Sequence, residues 1–120
     1  MTTKTESLHA GGYVVSEAQG MRSREVVTIL SGQNLGAGRV IGKITASGKY
    51  RAHDADNTDG SQTAAGVLFG PVDATAGDTK GVAHVRDCEV NGAELDWGDN
   101  DAGQITAGKA SLTAIKVIQR

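Results

Sequence analysis

The chain has 120 residues, of which 17 are glycine and four are aromatic, and its formal net charge at pH 7 is −2. A chain of this length most simply forms one domain, and it buries about 65% of the surface that its unfolded form exposes, which is enough for a core. The low charge gives no reason to expect nucleic acid as a partner, since binding to it favours a basic strip with interleaved aromatic residues.

The charge is distributed unevenly along the chain. The first 51 residues contain seven Lys or Arg and three Asp or Glu, whereas the remaining residues contain five and eleven. Opposite charge in the two parts of one chain suits self-association or docking between oppositely charged surfaces.

Cysteine usage and hydropathy bear on the compartment in which the chain is expected. Cys88 is the single cysteine, so neither an intrachain disulfide nor a CxxC pair can form. The N-terminus is polar where a signal peptide would be apolar, and no run approaches the roughly 18–20 apolar residues that cross a bilayer. We therefore expect synthesis in the cytoplasm and no membrane role.

Residues 1–20 are rich in Thr, Ser, Gly and Gln, with one short apolar island at Tyr13-Val14-Val15. Nothing here recurs at helical spacing, so we predict a flexible N-terminal arm ahead of one β-rich domain at residues 21–120. A disordered terminus without a role is the alternative. A β-prone island can instead add a strand to an exposed sheet edge of a partner. The residues predicted to bind in this way are Tyr13, Val14, Val15, Ser16 and Glu17.

The rest of the chain consists mainly of short runs, several of them rich in β-branched residues and one continuously apolar, separated by turn residues, which is the pattern of short strands joined by turns. The runs are REVVTIL, RVIGKIT, KYRAH, AAGVLF, VAHVRDCEV, AELDW and the terminal TAIKVI. VAHVRDCEV mixes apolar and charged residues on both alternating faces, which indicates either a bulge or a face that meets another chain. The predicted fold is mostly β.

The stretch NTDGSQTAAGVLFGPVDATAGD, residues 57–78, shows how the turns are built. Asp59-Gly60 is a turn sequence, and the apolar run 65–69 is expected to enter the core. Pro71 ends the pairing because it has no N–H to donate, and Asp73 begins another turn. We interpret this stretch as scaffold rather than as an active site.

One short helix is predicted near the C-terminus, between Asp101 and Leu112. Ile105, Leu112 and two alanines fall roughly on one side of it, and Asp99 or Asp101 is the expected cap. Two internal glycines weaken the helix.

Three motifs that look like ligand sites fail on their spacing. LGAGRVIGK has one residue too many for a dinucleotide fingerprint, and it lacks the Ser or Thr that follows the lysine of a phosphate-binding loop. DADNTDG begins like a calcium loop, but its glycine comes one place late and the bidentate glutamate is missing, as it is in DWGDNDAG. We predict neither a metal nor a cofactor.

The residues best suited to chemistry are scattered. His9, His53 and His84 lie far apart, and no nucleophile elbow or HExxH motif accompanies them, so we expect no enzyme. Cys88 is interpreted as a small packed side chain. Trp97 is interpreted as a core residue or a contact between subunits, with an exposed interface anchor as the alternative.

Taken in order, TDGSQTAAGVLFGPVDATAGD, AHVRDCEVNGAELDW and the terminal TAIKVI resemble the lambda-type bacteriophage head decoration protein D family, small proteins that cement phage capsids from outside. The likeness covers about residues 24–120, with a weaker echo in MTTKTE and GGYVVSEA. Its most specific part is Thr58-Asp59-Gly60, followed by AGVL and then VDAT.

The resemblance implies a β-rich fold, described as a β-clip with a little helix, and a homotrimer without catalytic activity or cofactor. It also implies that the trimer binds the major capsid protein at local threefold axes on the exterior of the expanded phage head, where it stabilises the virion against internal DNA pressure. The N-terminal arms would become ordered on that contact. The strand-rich segment ahead of the Asp-Gly turn, REVVTILSGQNLGAGRVIGKIT, is longer than the corresponding segment in the lambda-like pattern. A β-rich adaptor or carbohydrate-binding module without catalysis is the alternative.

Overall fold

The computed structural model describes residues 10–18 and 22–120. Within them the chain forms ten strands, one α-helix (α1, Ala102–Ala114) and a short 3-10 helix at Gly92–Glu94. The fold is mostly β with one short C-terminal helix, as predicted. The strands are β1 Val14–Glu17, β2 Arg24–Ile29, β3 Asn34–Leu35, β4 Val40–Lys43, β5 Tyr50–Ala52, β6 Ala64–Leu68, β7 Val72–Asp73, β8 Thr79–His84, β9 Cys88–Val90 and β10 Val117–Gln119.

Five strands close into a barrel in the order β2, β5, β4, β6, β8. β2 and β8 form its longest antiparallel pair, which runs from Arg24 opposite His84 to Ile29 opposite Thr79. The one parallel contact in the barrel joins β2 to β5. Closure leaves these strands without a free edge, so the edges of the fold belong to its smaller sheets.

A three-stranded sheet lies outside the barrel, with β9 between β1 and β10. β1 runs antiparallel to β9, and β10 runs parallel to it. A two-stranded ribbon of β3 and β7 completes the described strands.

Two runs that were predicted as single strands are built differently. VAHVRDCEV divides into β8 of the barrel and β9 of the small sheet, with Asp87 at positive φ (50°) in the turn between them, so the mixed faces come from a change of sheet. The prediction of a strand at AELDW is wrong. The Asn91 side chain accepts a hydrogen bond from the Ala93 N–H and begins the 3-10 helix, and Asp96 then makes only an isolated bridge with Arg39.

The strands β4 and β6 separate two hydrophobic cores. Their inward side chains, such as Ile41 and Leu68, fill the barrel together with residues of β2 and β8. Their outward side chains, such as Val40 and Val67, pack beneath α1 and the small sheet in a second core. This second core also contains Tyr13, Cys88, Val90, Leu95, Trp97, Leu112 and Val117.

The helix begins where the sequence predicted. The Asp101 side chain accepts a hydrogen bond from the Gln104 N–H at 2.9 Å, and the Gln104 side chain accepts one from the Asp101 N–H at 2.9 Å. This capping box satisfies two N–H groups that have no partner within the helix. Gly108 and Leu112 are the buried residues of α1, so this side packs against the second core.

Candidate functional site

Residues 10–17, which we call the N-terminal strap, cross the outer face of the barrel. The Gly11 N–H donates to the Phe69 carbonyl at 2.8 Å, and the Asn91 N–H donates to the Tyr13 carbonyl at 2.7 Å. The strap then continues as β1, in which Glu17 pairs with Cys88 of β9. Tyr13 is completely buried, so the strap belongs to the folded body.

His84 of β8 is the centre of a buried polar cluster that holds the strap. Its Nδ1 atom lies 2.6 Å from the Tyr13 hydroxyl, and its Nε2 atom lies 2.5 Å from the Glu17 carboxylate. The Tyr13 hydroxyl also lies 3.2 Å from the Val67 carbonyl, to which it can donate. Both ring nitrogens of a fully buried histidine therefore depend on partners that the strap supplies.

Arg24 and Phe69 complete the cluster. Arg24 donates to the Glu17 carboxylate through Nη2 at 2.9 Å and Nε at 3.1 Å, and its guanidinium carbon lies 4.4 Å from the centre of the Phe69 ring. The Phe69 ring also packs against His84. The hydrogen bonds from Arg24 and then from His84 hold the pKa of the Glu17 carboxyl below its usual range. Burial raises the pKa of the Tyr13 hydroxyl, so Tyr13 stays neutral while Glu17 is charged.

The structure places the residues predicted for capsid contact at different depths. Val15 is 54% exposed, and Ser16 is exposed with its hydroxyl donating to Glu89 at 3.0 Å. Val14 and Glu17 are half-buried, and Tyr13 is in the core. Residues 1–9, 19 and 20 of the predicted arm lie outside the described residues, and His9 is among them. The capsid contacts themselves stay a prediction.

The anchoring residues His84, Arg24 and Phe69 were not identified from the sequence. His84 was noted only as a scattered histidine, and its partners Tyr13 and Glu17 lie 71 and 67 positions away. The available signal is a histidine between the apolar residues Ala83 and Val85 of a predicted strand, because a buried imidazole requires partners for both nitrogens.

The Asp59-Gly60 turn folds back on the hairpin of β4 and β5. The Asp59 carboxylate accepts hydrogen bonds from the Ser61 hydroxyl and N–H, and these bonds lower the pKa of Asp59. Gly60 has φ of +110°, and a Cβ atom on it would lie 2.7 Å from the Lys43 carbonyl oxygen. Only glycine fits this position without strain.

Pro71 and Asp73 stand at the second turn of the same stretch. β6 ends at Leu68, Pro71 is exposed in the connection, and β7 begins at the next residue. The Asp73 carboxylate accepts hydrogen bonds from the N–H and hydroxyl of Thr75, and these bonds lower the pKa of Asp73. Both turns are held by an aspartate that bonds to the backbone two residues later.

Trp97 lies in the second core and is only 8% exposed. Its ring packs against Gly108 of α1 and meets His53 edge to face, with ring centres 5.9 Å apart. His53 is also buried, and its Nδ1 atom lies 3.0 Å from the Ser61 carbonyl. A contact of Trp97 with another subunit stays a prediction.

Cys88 is buried in β9, and burial raises the pKa of its thiol to about 11, with the charges of Glu17 and Asp87 adding to the effect. At neutral pH the thiol is therefore protonated and poorly nucleophilic. In residues 10–18 and 22–120, no group of three His, Cys, Asp or Glu side chains could hold a metal ion. None of the helices in these ranges is long and apolar enough to cross a bilayer.

The comparison with known proteins identifies the class of protein to which the chain belongs. Residues 3–117 match the model of a family of structural proteins of the phage head. The chain belongs to the bacteriophage lambda head decoration protein D family. A search of curated proteins finds no match to the chain.

Family membership confirms the resemblance that the sequence suggested. It gives the chain a structural role in phage capsid decoration, an association with the capsid and a location on the virion head. The match begins at residue 3, so most of the N-terminal segment falls within the family pattern and not only the barrel.

Proposed function

We propose that the chain is a capsid cement protein. It binds the major capsid protein on the outside of the expanded head, as a homotrimer at local threefold axes, and it stabilises the shell against internal DNA pressure. It is made in the host cytoplasm and acts without catalysis or a cofactor. The family match over residues 3–117 is the observation that carries this proposal.

The N-terminal segment is the proposed attachment element. The strap is fixed to the barrel through Tyr13 and His84, so residues 1–9 are joined to the body at a defined point. β1 also forms one edge of its sheet in the described part of the chain. Val15 and Ser16 are exposed on this strand, where a strand of the partner can pair with the free backbone.

Three attachment segments on one trimer bind as a multivalent unit. Ordering each segment costs free energy that its contact with the shell must offset, so each contact alone is weak. The second and third contacts then form at a high effective concentration, which makes the attachment long-lived. A clamp on a shell under internal pressure requires that persistence.

Removal of residues 1–9 tests this proposal. A deletion of residues 1–20 would also remove Tyr13 and β1, whereas the shorter deletion keeps the strap and its buried cluster. We expect the shorter protein to keep the thermal unfolding transition of the full chain and to lose binding to expanded heads in a sedimentation assay. Undiminished binding by the shortened protein would show that residues 1–9 are not an attachment element.

A further inference from the structure

The outer face of β6, β8 and β2 carries two neighbouring rows of side chains. In the first row Val67 is opposite His84, and His84 is opposite Arg24. The strap covers this row, because Tyr13 contacts the first two residues and Glu17 contacts the last two.

Of the second row, the strap covers part of the Phe69 ring, which lies against Gly11, and leaves Val82 and Val26 open. The Phe69 N–H donates to the Val82 carbonyl, and Val82 pairs with Val26, so these three apolar residues lie side by side across the face. Val26 is 62% exposed, the most exposed of the large hydrophobic residues in the described part of the chain, and Phe69 and Val82 are half-buried. A partly exposed apolar row beside a covered one indicates a contact surface.

A positive charge that no described residue neutralises lies next to this row. Lys80 follows Val82 on the same side of β8, opposite Thr28 of β2. It is exposed and makes no ion pair with a described residue. By contrast, the charge of Arg24 at the covered end is neutralised by Glu17. The open face is therefore apolar at its centre and positive at one end.

The N-terminal segment enters the body beside Phe69, the member of this row that follows β6. Ala10 lies beside Gly70, and the Gly11 N–H donates to the Phe69 carbonyl at 2.8 Å. Nine residues precede Ala10, and fully extended they reach about 30 Å. If residues 1–9 bind the capsid shell, the surface beside Ala10 must face the shell.

We infer that the β2–β8 face, formed by Phe69, Val82, Val26 and Lys80, is the surface that docks onto the capsid shell. This inference rests on the proposed function. The partner surface is the exterior of the major capsid protein, apolar where it meets Val26 and acidic where it meets Lys80. A second copy of the chain on this face would cover the point from which residues 1–9 extend, so we assign the face to the shell.

Two substitutions on this face and two matched controls test the inference. Val26→Asp places a charge in the apolar row, and Lys80→Glu reverses the free charge. Ala107→Asp and Lys109→Glu make the same kinds of change on the exposed side of α1, which packs on β4 and β6 rather than on β2 and β8. All four sites are exposed, and an unchanged melting temperature verifies that each variant folds.

The measurement is the affinity of each full-length variant for empty expanded heads of the phage that encodes the chain. We expect Val26→Asp and Lys80→Glu to weaken binding at least tenfold, because docking would desolvate an unpaired charge or oppose like charges. The two controls should stay within twofold of the unmodified protein.

The outcomes separate this inference from the proposed function. If the unmodified protein does not bind the heads, the proposed function fails and the inference fails with it. If it binds and the β2–β8 variants bind equally well, only the inference is overturned. A changed oligomeric mass of Val26→Asp in equilibrium sedimentation, with capsid binding intact, would also overturn it and assign the face to contacts between copies.

Discussion

Tyr13 and His84 lie 71 positions apart, and the Tyr13 hydroxyl is 2.6 Å from Nδ1 of His84 in the interior of the protein. This contact joins the N-terminal strap to the barrel. The described part of the segment that the sequence suggested as a free arm, residues 10–18, is therefore bound to the body through the side chains of Tyr13 and Glu17. The strap and the barrel should unfold together.

Tyr13→Phe tests the contribution of this hydroxyl to stability. The substitution leaves Nδ1 of His84 without a partner in a buried place, which costs about 1–3 kcal/mol of unfolding free energy. Urea denaturation measures the loss. Tyr50→Phe is the control, because the Tyr50 hydroxyl makes no hydrogen bond to a described residue, and its effect should stay within about 0.5 kcal/mol. Equal losses in both variants would contradict the anchoring role of Tyr13.

Glu17 should make stability depend on acid pH. Arg24 and His84 lower the pKa of its carboxyl in the folded state, below an unfolded value of about 4.3. The stability that a lowered pKa contributes is complete above the unfolded value and is lost as the pH falls through the folded value. The unfolding free energy should therefore fall more steeply below about pH 4.3 in the unmodified protein than in Glu17→Gln.

Urea titrations between pH 7 and pH 3 measure this difference. Other carboxyl groups with lowered pKa values, such as Asp59 and Glu89, titrate in both proteins and cancel in the comparison. Parallel pH profiles of the two proteins would show that Glu17 is not held by the buried cluster.

Gly60→Ala should destabilise the protein through its backbone. The positive φ of 110° alone costs about 1–3 kcal/mol for a residue with a side chain, and contact with the Lys43 carbonyl adds to it. Gly77→Ala is the matched control, because Gly77 has no positive φ and no atom within 4 Å of the added carbon. The unfolding free energy of Gly77→Ala should rise by about 0.4–1 kcal/mol. Thermal unfolding of the two variants should shift in opposite directions.

The two glycines inside α1 should also respond with opposite signs. At Gly103 the nearest atom is 3.5 Å from an added Cβ, so Gly103→Ala gains about 0.5–1 kcal/mol from helix propensity. At Gly108 the added carbon would overlap the Trp97 ring, with one ring atom at 3.0 Å, so Gly108→Ala should lower stability. Stabilisation by both substitutions would contradict the packing of Trp97 against the helix.

Local signals in the sequence were sufficient for much of the fold. Short runs bounded by turn residues located β2, β4, β5 and β6, and the Asp101 cap fixed the start of α1. These features depend on residues a few positions apart, where propensity and capping decide the conformation. AELDW was mispredicted because the Asn91 side chain bonds to the backbone and starts a helical turn there.

The buried cluster could not be predicted in the same way. Its members come from the strap, from β2 and β8 and from the residue after β6, and they meet only because the barrel closes. The apolar island at Tyr13-Val14-Val15 correctly suggested β structure, but propensity does not determine whether a strand pairs within its own chain or with a partner. The close approach of Trp97 to Gly108 likewise depends on tertiary packing.

Capsid attachment is the central claim, and co-sedimentation with empty expanded heads of the phage that encodes the chain tests it most directly. Unexpanded proheads and unrelated shells are the controls. We predict saturable binding to the expanded heads, with three copies for each local threefold axis. Absence of binding to any shell, by protein shown to be folded, would contradict the account.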